Sequence, residues 1–413
     1  MPQNLLRLGL VLISISQFLP EFISSYALLF WLLVCLWLGY REKKLGGIQV
    51  WQWALLAFFG WQLLGLTYSN HPKHGVELLG MQFLLLLLPL TLHLLPLNRR
   101  DLLALGLKSL WWCCLAASAY VTGYGIIRVC SEPGDYWFHA SHYMYYTELS
   151  EPLMHPAYFS SLVVMALLGA FWLQWHKKLT GWWIWLLQAW LLVFMMLISA
   201  RMSVLAFAIS AVLLSLYLGW QAGNKRVVAA SLMGAPLFAL AVFWILPERL
   251  QQRFTELSQL SYQIDAPLLT DFTGLTIRLA EWSGVQTALH DHWLIGHGTG
   301  GGKAALQEAY QKIGFEVGLQ YGYNAHNQFL ETALHNGLIG VLLLLMVFIT
   351  AFWHAFRRKN WLAMWLLLYF FMCIQTESML VRHRGVLFMA LYLSLCLLWD
   401  ARKTSDNATF SAH

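Results

Sequence analysis

Runs of about 20 consecutive apolar residues recur along the whole chain, and nothing else restricts its fold as much. A helix of that length rises about 30 Å and crosses the hydrocarbon core of a bilayer with its backbone hydrogen bonds closed within itself. The runs lie near 5–20, 22–40, 51–68, 76–97, 102–123, 153–175, 181–200, 203–220, 227–246, 327–355, 361–376 and 385–399. They predict an all-α polytopic membrane protein with about twelve transmembrane helices. Composition agrees, because only 11% of the 413 residues are Asp, Glu, Lys or Arg, where a soluble domain carries about 25%. The 59% that are hydrophobic exceed what a soluble core of this length absorbs, and they exclude disorder. Five of the six cysteines sit within apolar runs and Cys130 stands alone in a loop, so no disulfide framework is expected. No small-residue cleavage site follows the first run, which is expected to be retained.

The formal charge of +6 would by itself suggest a polyanionic partner such as nucleic acid. The placement of the charges says otherwise. Arg7, Arg41, Lys43, Lys44, Arg99, Arg100, Lys177, Lys178, Lys225, Arg226, Arg357, Arg358, Lys359, Arg402 and Lys403 all fall on one side of a twelve-span arrangement. With Lys108, that side holds 16 of the 26 Lys and Arg against four acids: Glu42, Asp101, Asp400 and Asp406. The positive-inside rule makes it cytoplasmic, with both termini. The other side is net acidic, so its arginines Arg201, Arg278, Arg382 and Arg384 stand out there. It also carries the two long connections, 124–152 and 247–326. Within the second, Phe272, Leu275, Leu279, Trp282, Val285 and Leu289 form one apolar stripe, which predicts a helix over 270–290 capped by Thr270 or Asp271. A second helix is expected over 303–313.

Four places can carry chemistry. Arg201 is the single charge in the apolar block 181–220 and falls at its midpoint, in the turn between two spans at the outer surface. It either snorkels to lipid phosphates or binds an anion at headgroup height. Arg278 shares a helix face with Trp282 at i+4, and Glu281 follows at i+3, the spacing of a local ion pair. The segment 323–340, YNAHNQFLETALHNGLIG, opens the tenth span. Asn324 is its expected N-cap, with His326 in the first turn and Asn327, Glu331 and His335 on one face. Polar residues entering an apolar helix are costly, so they are expected to be functional or mutually paired. The fourth is the loop GHGTGGGK, 296–303, whose Gly296 and Gly298 can present backbone N–H groups to a phosphate. It is not a Walker A loop: His297 stands where that pattern needs its first glycine, and Ala304 follows Lys303. Weaker candidates are Glu377, Arg382, His383 and Arg384 in the last outer connection, and His139, His142 and His155 around the 124–152 loop. His290, His292 and His297 lack a strong zinc spacing, so no metal site is expected.

Ser199-Ala200-Arg201, the R-x-x-x-W segment from Arg278 to Trp282, Gly296-His297-Gly298, and HNQFLE followed by Gly337 occur in this order. With the large outer loop, this resembles the O-antigen ligase family, which shares its core with O-antigen polymerases and bacterial protein O-oligosaccharyltransferases. Members often place serine directly before the arginine, whereas Ala200 intervenes here. The resemblance implies a multi-span glycosyltransferase of the bacterial inner membrane. It would move a glycan from undecaprenyl pyrophosphate to lipid A–core on the periplasmic side, with no metal, cofactor or nucleic acid. Arg201 and Arg278 would hold the pyrophosphate and His326 would act near the acceptor hydroxyl. Asn324, Asn327, Glu331, Gly296, Gly298, Trp282, Arg382, Arg384 and His155 are expected to line the substrate site. The expected division is 1–246 for spans one to nine, 247–326 for a helical periplasmic loop subdomain, and 327–413 for spans ten to twelve with a cytoplasmic tail. A polymerase or protein O-oligosaccharyltransferase on the same scaffold is the nearest alternative. A transporter fits less well, since the polar residues cluster at one membrane face rather than at the midplane.

Overall fold

The apolar runs become helices. The computed structural model describes residues 2–42, 47–94, 99–132, 136–198, 201–221, 223 and 274–399. In chain order the helices are α1 (Pro2–Ser16), α2 (Glu21–Glu42), α3 (Val50–Gly65), α4 (Pro72–Leu94) and α5 (Arg99–Ser131). The short α6 (Tyr136–Tyr143) and α7 (Tyr146–Ser150) follow, then α8 (Pro156–Trp175), α9 (Trp183–Ile198) and α10 (Arg201–Gln221). Three further helices follow: α11 (Gly274–Leu289), α12 (Gly302–Lys312) and α13 (Glu316–Tyr321). The chain then runs through α14 (Gln328–Arg357), α15 (Trp361–Cys373) and α16 (His383–Leu398), which contains a π turn at Met389–Leu393. Helices α2, α4, α5, α8 and α14 are each long and apolar enough to cross a membrane, and α1, α9, α10, α15 and α16 are shorter apolar helices. The expected span at 227–246, the helix cap at Thr270 or Asp271, Ser199, and the basic residues Lys43, Lys44, Lys225, Arg226, Arg402 and Lys403 lie outside the described residues.

Two cores result. The larger one fills the bundle and encloses Trp31, Trp51, Trp111, Trp172 and Trp365 almost completely. In lipid, helices associate through close packing and buried polar contacts rather than through expulsion of water, and both are present. The Trp31 indole lies across Gly9 and donates to the Leu6 carbonyl at 3.2 Å. Gln17 donates to the Tyr392 hydroxyl, Gln188 to the Leu167 carbonyl, and Asn360 to the carbonyls of Cys396 and Trp399. The smaller core joins α11, α12 and the start of α14 through Ala280, Val285, Leu306, Tyr310, Phe315, Ala325 and Leu334.

The join between these cores follows from a mismatch of lengths. Helix α14 has 30 residues and its neighbour α15 has 13, about 45 Å against about 20 Å at 1.5 Å per residue. Yet they meet at both ends: a three-residue turn links Arg357 to Trp361, and the Gln328 N–H donates to the Ile374 carbonyl at 2.8 Å. A straight α14 cannot do this. It breaks at Gly337, where φ is 64° and ψ is −167°, a region that essentially only glycine enters. Residues 328–336 therefore turn away from the axis of the remaining helix. The N–H groups freed beyond the break are taken by the incoming loop, with Leu338 donating to the Trp293 carbonyl and Ile339 to the Leu294 carbonyl.

A Cβ at Gly337 would lie 2.2 Å from the Leu294 carbonyl, whereas one at Gly80 in α4 meets nothing within 4 Å. Gly337→Ala is therefore expected to destabilise by about 2 kcal/mol or more, read as a clear fall in the thermal midpoint of detergent-solubilised protein. Gly80→Ala should leave that midpoint unchanged or raise it. Equal midpoints for the two variants would count against the break as a structural requirement.

Candidate functional site

Helix α11 presents Arg278, Glu281 and Trp282, three and four residues apart, so that they share one face. Each holds a different piece of backbone or side chain. Arg278 donates through Nη2 to the Thr376 carbonyl at 3.2 Å, and the Trp282 indole donates to the Ala325 carbonyl at 3.1 Å. Glu281 Oε1 lies 2.8 Å from His326 Nδ1. The local Arg278–Glu281 pair suggested by the spacing is not the main contact; the partner of Glu281 comes from the turn before α14.

That turn is heavily constrained. His326 has φ of 39°, in the left-handed region. The Asn324 Oδ1 accepts from the His326 N–H at 2.9 Å, and Glu331 Oε2 accepts from the Ala325 N–H at 3.0 Å. The cap of α14 is Asn327, whose Oδ1 accepts from the N–H groups of Phe329 and Leu330 while its Nδ2 donates to the Gln375 carbonyl. This corrects the expectation that Asn324 caps the helix with His326 in its first turn. Asn324 is spent on closing the preceding turn, so the helix begins three residues later and His326 stands in front of it.

The remaining candidates separate into those near His326 and those that brace the fold. His335 Nδ1 accepts from the N–H groups of Gly300 and Gly302, leaving Nε2 to face the Glu331 carboxylate at 3.5 Å. Glu331 and His335 are thus mutually paired, and they clamp the glycine loop to α14. The loop offers few N–H groups to an anion. Those of Gly296, His297, Thr299 and Gly301 donate to the carbonyls of His292, Leu334, Gly65 and Gly298. Gly296 and Gly298 have φ of 71° and 79°, and a Cβ on either would lie within 2.7 Å of the backbone of Asn336 and Gly337 or of Gly65 and Ser69. They are close-packing positions, which corrects the expectation of an open phosphate cradle. His297 is committed to the Ala288 carbonyl at 2.8 Å. Arg384 donates to the carbonyls of Leu153 and Leu19, so it ties α16 to the ends of α1 and α8.

His155 caps α8, accepting from the Ala157 N–H at 3.4 Å. Burial pushes its pKa down, and the charge of Glu377 opposes this while those of His326 and Arg382 add to it. Arg382 is exposed. The charge of Glu377 acts on His155, Glu281 and His326 alike.

The electrostatics centre on the His326–Glu281 pair. Burial pushes His326 down, but the hydrogen bond to Glu281 and the charges of Glu281 and Glu377 outweigh it, with Arg278 opposing. The result is a pKa above the ordinary histidine value. Burial raises the Glu281 carboxyl, and its contacts with His326 and the charge of Arg278 only partly offset this. The backbone of Arg201 opens α10; its side chain lies outside the described residues. Phe207 of α10 packs against Trp365 of α15, and Tyr217 packs against Phe356 before it, so α10 runs antiparallel to α15. The start of α10 therefore sits at the same end of the bundle as Thr376 and Arg278.

Sequence spacing missed Glu281 as the partner of His326, because the pairing joins residues far apart in the chain. The available signal was the acid itself, buried on the same face as Trp282 within a helix flanked by an arginine. Comparison with known proteins bears on the same residues. No curated protein matches the chain. A family model described as O-Antigen ligase matches residues 186–345, a segment that contains Arg201, Arg278, Glu281, the glycine loop, His326 and the break at Gly337. Over that segment the chain is similar to the O-antigen ligase family.

Proposed function

We propose that the protein is an inner-membrane O-antigen ligase. It transfers a glycan from undecaprenyl pyrophosphate to a hydroxyl of lipid A–core at the periplasmic face, with inversion at the anomeric carbon. The observation that carries this reading is the convergence of Arg278, Glu281 and His326 at one end of an apolar bundle. That is where a lipid-anchored donor presents its phosphates. A cation and a histidine of raised pKa then lie within electrostatic range of each other.

The chemistry follows from what the reaction needs. His326 Nε2 takes the proton of the acceptor hydroxyl. The oxygen bonds to the anomeric carbon from the side opposite the pyrophosphate, and the bond from that carbon to the phosphate oxygen breaks. Negative charge grows on the leaving pyrophosphate, and oriented cations stabilise it most where water is excluded. Arginine suits the task because it stays charged and binds phosphate bidentately. Arg278 and Arg201 fill this role, with Arg382 and His155 at the rim.

Arg201→Ala, Arg278→Ala and His326→Asn are each expected to lower transfer by about 10²-fold or more while the protein remains folded. Asparagine suits position 326 because it tolerates the left-handed conformation and still offers Glu281 a donor. In a ligase-deficient bacterium, such variants should leave bare core lipopolysaccharide and accumulating lipid-linked glycan. Near-normal capping by all three would sink the reading, and retention of single-unit lipopolysaccharide would point to a polymerase.

The base must be neutral to act, so the rate should rise with pH through the His326 pKa. Because that pKa stands above the ordinary 6.5, half-maximal kcat is expected above pH 6.5. A profile flat down to pH 5.5 would exclude His326 as the base. With the leaving charge held by arginines, transfer by purified protein should persist in EDTA; its abolition, restored by a divalent cation, would refute this division of labour.

A further inference from the structure

The reading of His326 as base leaves open what decides which of its nitrogens carries the proton. We propose that Glu281 is a positioning residue for this step: it holds the imidazole with Nδ1–H inward and Nε2 free for the acceptor hydroxyl. It also supplies the counter-charge when the ring becomes protonated. This inference rests on the transferase reading of the site.

Three observations support it. Glu281 is fully buried, and of its two oxygens only Oε1 has a hydrogen-bond partner among the described residues, the Nδ1 of His326. An ionised carboxylate only accepts, so the proton of the neutral ring sits on Nδ1 and the Nε2 lone pair faces away from Glu281. Second, the His326 side chain is 28% exposed while Glu281 is 0% exposed, so the ring stands between the buried acid and the surface. Third, the backbone of His326 is fixed without Glu281. Asn324 holds its N–H, Glu331 holds that of Ala325, and the Trp282 indole holds the Ala325 carbonyl. What is left for Glu281 to determine is the orientation and tautomer of the ring.

The proton balance is simple. The acceptor hydroxyl proton moves to Nε2 as its oxygen bonds to the anomeric carbon. The imidazolium then has both nitrogens protonated, with Nδ1–H still on Oε1, and it releases the new proton to water as product leaves. Glu281 is not protonated at any stage. The other charged groups acting on the ring are Arg278 from α11, Glu377 from the 374–382 connection, His155 from the start of α8 and Glu331 from α14. The Tyr323 ring lies edge-on at 5.9 Å.

The test uses full-length protein in liposomes with purified lipid-linked donor and lipid A–core. Glu281→Gln keeps the shape but removes the charge, and its amide can meet Nδ1 as donor as well as acceptor, so the Nδ1–H tautomer is no longer enforced. The expected result is a fall in kcat on the order of 10²–10⁴-fold with the donor KM changed less than about threefold. The acidic limb should move to lower pH. Independently of activity, diethyl pyrocarbonate labelling of His326, followed by mass spectrometry across pH, should show a midpoint displaced downward. Should the glutamine variant not fold, Glu281→Asp serves instead, since it withdraws the carboxylate by one methylene and should shift kcat and the labelling midpoint the same way. An unchanged kcat and midpoint in the folded variant would overturn the role of Glu281. If Glu281→Gln is unchanged while His326→Asn is inactive, only this inference fails; if His326→Asn remains active, the assignment of His326 fails.

Discussion

A 30-residue helix whose two ends must meet those of a 13-residue neighbour cannot stay straight. The break at Gly337 resolves this, and the contacts of the glycine loop are organised around it. Because of the break, residues 328–336 do not continue the axis of the rest of the helix. Their polar side chains, Glu331, His335 and Asn336, then meet protein rather than lipid. Asn336 donates to the Thr299 hydroxyl, which donates to the Gln62 carbonyl of α3, and His335 receives two N–H groups of the glycine loop. A buried polar chain of this kind is stabilising only when each member finds its partner, and here the break, the loop and α3 complete one another. The glycines at 296, 298 and 300, all with positive φ, let the loop backbone come close enough to do so.

The same device sets the turn before α14. With the first part of α14 off the axis of the rest of the helix, its cap at Asn327 falls beside Gln375, and Gln328 bonds both the Ile374 carbonyl and the Leu380 N–H. The connection between α15 and α16 is thereby drawn against the turn 324–327, which brings Glu377 and the Thr376 carbonyl into range of His326 and Arg278. Helix α11 closes the third side. The site is therefore assembled from segments on α11, before α14 and after α15, each held through backbone carbonyls or N–H groups rather than through exposed ion pairs. Such contacts resist salt and solvent screening better than surface charges do.

Much of this was legible in the sequence, and the rest fails for identifiable reasons. Helix positions follow from apolar run length, so α1 to α5, α8 to α10 and α14 to α16 lie where the runs do. The apolar stripe through Leu279, Trp282 and Val285 marks α11, and Arg278 and His326 were visible as outward polar residues in an apolar chain. The cap of α14 was not resolvable, because Asn324 and Asn327 have the same chemistry three residues apart and only the tertiary contact to Gln375 separates them. Gly296 and Gly298 read as ligand-binding glycines because a glycine-rich turn before a helix serves either phosphate approach or backbone packing. The neighbouring Gly65 and Gly337 decide for packing. The contacts of Arg384 with the Leu153 and Leu19 carbonyls join segments too far apart in the chain for spacing to show.

The opposition of charges around His326 carries a mechanistic meaning. Two carboxylates, Glu281 and Glu377, favour the protonated ring, while burial and Arg278 oppose it. Either set alone would be unsuitable. Unopposed carboxylates would keep the imidazole charged and unable to accept a proton, and unopposed burial would leave it too weak a base to draw one from a hydroxyl. General-base catalysis is most effective with a pKa near the working pH, and opposing effects of burial and charge act on this ring. On the proposed reaction, the donor pyrophosphate adds further negative charge at this site, which would push the ring towards its protonated form before the acceptor is activated. Arg278 offsets that charge directly, while its own repulsion of the ring acts in the same direction. On this proposal one arginine stabilises the leaving group and keeps the base available, which gives a reason for a cation on the same helix face as the buried acid.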